Sequence, residues 1–298
     1  MGEFFAAIVS PNVPFIRYAL IAGILAAPAF GVVGSYVVVN RISYLAGAIA
    51  HSVLAGIGLS LFLRSRFGPS WFTPFWGAFA AAMVSALLVA LATKSGRQRA
   101  DSAISIVWAL GTAIGVIFLT RTSGFVDPMA YLFGNILLLS AADLVGIVVL
   151  DIVVLAVALL FYPQLFALSF DQEFAEVRGM PTQAHLTILL LLTGATVVLL
   201  VSTVGIVLVI TLLTLPAATA GFFARSLKRL MIVASILSAF FAVAGIGVSY
   251  AYDLPSGAGI VLFTVTGYIV AFVITKITAK NVGRRPTNEK TESRSLSI

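Results

Sequence analysis

No cysteine occurs among the 298 residues, so disulfides, thiolate metal sites and catalytic thiols are excluded at the outset. Charge is scarce too: Asp, Glu, Lys and Arg make up 10% of the chain and hydrophobic residues 60%, far from the quarter-charged balance of a soluble domain. HExxH, GxSxG and the phosphate loop GxxxxGK(S/T) are all missing. Without that loop, any ATP that drives this protein must be hydrolysed by another chain, and an intramembrane enzyme lacks a catalytic constellation. The N-terminal stretch MGEFFAAIVSPN has Glu3 where a secretory signal carries basic residues and Ala6 where a myristoylation motif carries Ser or Thr. The expectation is that the spans themselves direct the chain to the membrane.

What is present is a series of apolar runs close to the twenty residues that carry a helix across ~30 Å of hydrocarbon. Runs bounded by charge, Gly or Pro place spans at 15–39, 43–63, 71–93, 101–120, 141–162, 185–201, 204–224, 229–251 and 256–279. This predicts an all-α polytopic membrane protein of about nine transmembrane helices, within a range of eight to ten. The block from His185 to Ala224 is cut between Ser202 and Gly205, because one straight helix of that length overshoots the bilayer. The segment 127–140, DPMAYLFGNILLLS, is apolar but too short to cross and is expected to be re-entrant or interfacial. A single permease domain is expected over 1–280, followed by a disordered tail over 281–298 in which Gly283 and Pro286 break the helical period.

The net charge of +7 does not point to nucleic acid, because the charges sit mainly at helix ends. With the stretch 168–181 placed in the cytoplasm, fourteen of the 18 basic residues fall inside, while Arg17, Arg64, Arg66 and Arg121 fall outside. The opposite topology breaks the positive-inside rule at nearly every loop, so the C-terminus is expected in the cytoplasm.

That stretch, LSFDQEFAEVRGMP from Leu168 to Pro181, is a concentrated polar island between two hydrophobic blocks. Ser169 and Gln172 have capping-box spacing; Phe170, Phe174 and Val177 share a helical face; Gly179 and Pro181 supply a stop. The expectation is one helix of about two and a half turns. Asp171, Glu173 and Glu176 lie on its polar side. On spacing alone it is either a solvated loop helix or a surface helix offered to a soluble partner.

Within the spans, Ala48, Ser52, Gly56 and Ser60 form a small-residue stripe that lets a second backbone approach closely. His51 lies beside it at mid-span, with Gly47 one turn before and Ala55 one turn after. Its imidazole is either a packing group bonded to a neighbouring helix or a functional one. Asp151 is the acid nearest the centre of a span, where an unpaired charge costs about 2.5–3.5 kcal/mol on insertion scales, so it must face protein, water or a cation. Pro216 kinks the seventh run, with Thr211 and Thr214 placed to cover backbone groups that the kink exposes.

The run RISYLAGAIAHSVLAGIG resembles the permease signature of bacterial ABC importers for zinc, manganese and iron, the ABC-3 family, where an SHAVLPG-like sequence occupies an early span. YLFGNILLLS, SFDQEFAEVRG, VGIVLVITLLTLPAATAG and DLPSGAGIV follow in the same order, so the resemblance runs from about residue 20 to 275. It implies a type II ABC importer-like permease in the bacterial cell membrane, acting as a homodimer. Its implied partners are two cytoplasmic ATPase subunits and an extracytoplasmic metal-binding protein, with no permanently bound cofactor and zinc or manganese as cargo. It also implies that Phe170 to Gly179 is the coupling helix on the ATPase. From its mid-span place among Gly and Ala, His51 is expected on the metal path, with Asp151 of the fifth span as a second candidate. Many members carry Gly-Asp-Ala-Leu-Ser-His where this chain has Ala46-Gly47-Ala48-Ile49-Ala50-His51. The histidine is kept and the acid lost, which tilts the expected cargo from manganese toward zinc. The competing class is an ion-coupled secondary transporter, with Asp151 and His51 as its relay.

Overall fold

The computed structural model describes residues 14–68, 71–94, 97–123 and 141–282, and every regular element among them is helical. In chain order these are α1 (Pro14–Val39), α2 (Ser43–Phe67), α3 (Pro74–Thr93), α4 (Arg97–Arg121), α5 (Ala141–Leu160), α6 (Tyr162–Phe170), α7 (Gln172–Val177), α8 (Thr182–Val204), α9 (Ile206–Gly221), α10 (Leu227–Ala251) and α11 (Ser256–Val282). Among the described residues seven helices are long and apolar enough to span a bilayer, or eight if α5 and α6 count as one bent span. The expected nine is therefore met only at the lower end of its range.

Two places account for the difference. α9 has 16 residues, about 24 Å at 1.5 Å per residue, which falls short of the hydrocarbon thickness. The fifth expected span bends by 67° where α5 gives way to α6. Pro163 lies in the first turn of α6; without an N–H and with a ring that collides with the carbonyl four residues back, it stops α5 from continuing. The expected cut in the block 185–224 falls at Gly205, whose φ of +87° and ψ of 157° lie in a region essentially reserved for glycine. The expected re-entrant segment 127–140 lies outside the described residues, as does the expected tail beyond Val282; α11 itself runs through Asn281 and Val282.

α1 is the central helix: Ala19, Ala22, Ala26, Ala29, Phe30, Val33, Tyr36 and Val37 are all buried. It meets α10 where Gly31 lies against the Ser235 backbone, and α9 where Gly34 lies against the Leu213 carbonyl. α2 is held between α3 and α4 by the predicted stripe. Gly56 and Gly77 face each other's backbone, Gly111 sits on Ser52, and the Ser52 and Ser85 hydroxyls bond at 2.5 Å. Lipid tails are as apolar as leucine, so such close backbone contacts, rather than a hydrophobic drive, hold spans together.

Candidate functional site

The polar island folds as two short helices, not one. Asp171 has extended backbone (φ −155°, ψ 94°) and its carboxylate accepts the Phe174 N–H at 2.9 Å, making it the N-cap of α7. Ser169 is not the cap: it lies in the last turn of α6, donating its hydroxyl to the Leu165 carbonyl at 2.7 Å and accepting from Asn40 Nδ2 at 2.8 Å. A carboxylate at a helix N-terminus satisfies an orphan N–H and also complements the helix dipole, so Asp171 displaces the serine in that role. The far end of α7 closes as predicted. Gly179 has φ +78°, its N–H bonds the Glu176 carbonyl at 2.8 Å, and the Met180 N–H bonds the Ala175 carbonyl at 3.0 Å. Those two bonds are a Schellman closure, which requires a left-handed residue at this position.

Phe170, Phe174 and Val177 are 65%, 56% and 87% exposed, so the island presents apolar area outward between charges. Phe170 packs on Phe166 with ring centroids 4.5 Å apart, and the Arg178 guanidinium lies 5.1 Å over the Phe174 ring. Phe174 is thus covered by a cation and not anchored in the bundle; Ala175 is the buried residue of α7. The two glutamates part company. Both are exposed, but Glu176 Oε1 accepts the Thr182 hydroxyl at 2.6 Å and Gln172 Nε2 at 3.2 Å, tying α7 to the start of α8. These bonds, that of Thr182 first, hold the Glu176 carboxyl below the usual carboxylate range. The tie therefore stands at neutral pH and loosens only as acid takes the pH down through that lowered value.

α6 was not legible as a separate element, and its side chains form one wall of a groove. Tyr162, Pro163 and Phe166 line a groove of about 500 Å³ with Ser226, Leu227 and Lys228, and the Lys228 ammonium lies 5.6 Å over the Tyr162 ring. Phe170 borders a second groove with Arg225 and Ala224. Gln183 Nε2 donates to the Ala90 carbonyl at 2.6 Å, and Phe222 lies 6.0 Å from Phe272 on the Lys276 end of α11. The loops after α1, α3, α6 and α9 and the C-terminal end of α11 therefore gather at one end of the bundle, the grouping that the distribution of Lys and Arg predicts.

Deeper in the bundle, His51 projects from α2 toward α4. Its ring stacks on Trp108 at 4.5 Å between centroids and 18° between planes, and its Nδ1 is buried with no hydrogen-bond partner. Asp151 is 8% exposed and its Oδ1 accepts the Ala29 N–H of α1 at 3.2 Å. Ala29 follows Pro28, which lies inside α1, so the carboxylate braces the backbone where proline disturbs the helical ladder. His51 sits in the α2–α4 contact and Asp151 in the α5–α1 contact; the structure does not pair them. No group of three or more His, Asp or Glu suited to a metal occurs among the described residues. Pro216 is buried within α9, but Thr211 and Thr214 bond the Val207 and Ile210 carbonyls at 2.8 Å. The expected cover for the Leu212 carbonyl, which Pro216 leaves without its helical donor, is therefore not provided by either threonine.

The pattern of the ABC 3 transport family matches residues 12–275. The chain is 34% identical over 257 residues to a probable metal transport system membrane protein of Chlamydia pneumoniae, covering 86% of this chain and 87% of that one. It is 33% identical over 260 residues to the manganese transport system membrane protein MntC of Listeria monocytogenes, covering 87% and 90%. Among solved structures, PsaBC from Streptococcus pneumoniae in complex with Fab superposes with a TM-score of 0.79 at 28% identity, covering 91% of this chain and 95% of that one.

Proposed function

Because the chain belongs to the ABC 3 transport family and is a multi-pass permease subunit of its metal transporters, we propose that it imports a divalent first-row metal ion, passing it from an extracytoplasmic binding protein to the cytoplasm. The observation that carries this reading is the island: two short helices at the basic end of the bundle, exposing Phe170, Phe174 and Val177 beside Asp171 and Glu173. An exposed apolar surface flanked by charge is what a soluble partner covers. Here that partner is a cytoplasmic ATPase, since the chain has no phosphate loop of its own. Two copies of the chain are proposed to enclose the path, with His51 contacting metal.

Manganese is favoured as cargo by the relative named for it. Zinc is favoured by the site chemistry, a single imidazole with Gly47 in place of an acid one turn before. Cells with and without the transporter, assayed for all first-row metals, decide between them. The expected result is a selective fall in manganese or zinc on deletion; unchanged content of every metal would sink the importer reading.

The topology follows with the island inside: residues 94–101, 164–182, 225–229 and the C-terminal tail are cytoplasmic, and 64–70 and 251–256 are outside. Because the chain is free of cysteine, single cysteines label from one side only. A cysteine at Arg178 that reacts from outside the cell would overturn this orientation.

A further inference from the structure

We propose that Trp108 is a positioning residue for metal transfer, holding the His51 imidazole by its face so that the ring keeps one orientation. This rests on the reading of His51 as a metal-contacting residue. A metal ion binds imidazole at a nitrogen in the plane of the ring, and a ligating histidine ordinarily has its ring fixed by a hydrogen bond from the second nitrogen to a carboxylate, carbonyl or water. His51 Nδ1 is buried and has no such bond. What fixes the ring is Trp108, stacked on it at 4.5 Å and 18°. Face-on stacking restrains rotation of the imidazole while leaving its edge uncovered by the indole.

The placement of Trp108 is built into the helix contact. A Cβ added at Gly47, one turn before His51, would lie 3.3 Å from Trp108 Cζ3, so the missing side chain at 47 is what lets the indole lie so close to α2. One turn earlier Tyr44 packs 5.7 Å from the same indole, and its hydroxyl shares a hydrogen bond of 2.9 Å with Ser105 on α4. On the other side, Gly111 lies on Ser52, and a Cβ at Gly58 would meet the Gly115 carbonyl at 2.6 Å. With the two backbones in contact from Ser52 onward and the Tyr44–Ser105 hydrogen bond on the near side, the packing of α2 on α4 holds the indole against the imidazole.

The chain has three tryptophans, and Trp71 and Trp76 are exposed, so replacing both by Phe leaves Trp108 as the sole indole reporter. Full-length protein in lipid nanodiscs is titrated with manganese(II) and, separately, zinc(II). The expected result is a saturable change in Trp108 emission that disappears in His51→Gln. Trp108→Leu is expected to weaken metal binding on the order of tenfold by calorimetry, the scale seen when an orienting partner is removed, and Trp108→Phe to recover most of it. Thermal unfolding of the Leu and Phe variants checks that both are folded. Wild-type affinity in Trp108→Leu, or Trp108 emission indifferent to metal that the protein binds through His51, would overturn the positioning role alone. Metal affinity unchanged by His51→Gln would instead overturn the reading of His51, and this inference with it.

Discussion

Valine at position 179 is expected to leave the protein in the membrane and ATP hydrolysis by its partner intact, while uptake per ATP falls on the order of tenfold, the factor that corresponds to about 1.4 kcal/mol. Gly179 has φ +78° and nothing within 4 Å of where a Cβ would stand. The effect is therefore conformational and not steric crowding. An L-residue in the left-handed region costs roughly 1–2 kcal/mol, and a β-branched one is the least tolerant. Strain of that size competes with the two bonds that close α7, from Gly179 N–H to the Glu176 carbonyl and from Met180 N–H to the Ala175 carbonyl. Opening them re-aims Phe174 and Val177, the apolar part of the surface offered to the ATPase. Gly179→Asn separates this account from a general loss of fold, because asparagine enters the left-handed region readily, and it is expected to recover most of the coupling. ATPase rate and metal uptake measured in the same proteoliposomes give the ratio. Normal uptake per ATP by the valine variant would count against the coupling role.

His51→Ala is expected to lower metal uptake by at least about tenfold, in line with loss of a metal contact, with ATPase binding retained. A transport path needs contacts weak enough to release the ion, since a closed four-ligand cage would trap it. The alanine variant also removes a stacked aromatic pair, worth about 0.5–1.5 kcal/mol. Membrane abundance and ATPase co-purification are therefore measured on the same preparation. Loss of abundance in step with transport would make His51 a packing residue, and full uptake would remove it from the metal path. Asp151→Asn is expected to change uptake much less. The carboxylate accepts the Ala29 N–H at 3.2 Å, and an amide oxygen at that position can accept it too. Because His51 and Asp151 belong to different helix contacts, the two substitutions are expected to act independently.

Fold class, membrane location and most helix boundaries were fixed by rules that act within one or two turns of chain. A twenty-residue apolar run must be helical in hydrocarbon, because no water is present to satisfy its backbone. The break at Gly205, the left-handed Gly179 and the stripe of Ala48, Ser52, Gly56 and Ser60 were legible for the same reason: each is a property of a residue and its near neighbours. The choice of Asp171 over Ser169 as cap depended on more, since Ser169 is engaged by Asn40, 129 residues away. The bend at Pro163 carried a local signal, a proline inside the apolar block, but hydropathy alone joined it to the loop. What lay wholly beyond the sequence is the partnership of side chains. Asp151 braces an N–H 122 residues away, and His51 stacks on Trp108 from a different helix. A bilayer imposes helices one segment at a time, but which polar group is satisfied by which is set only when the helices meet, because a buried donor, acceptor or imidazole takes whatever partner the packed neighbour brings within reach.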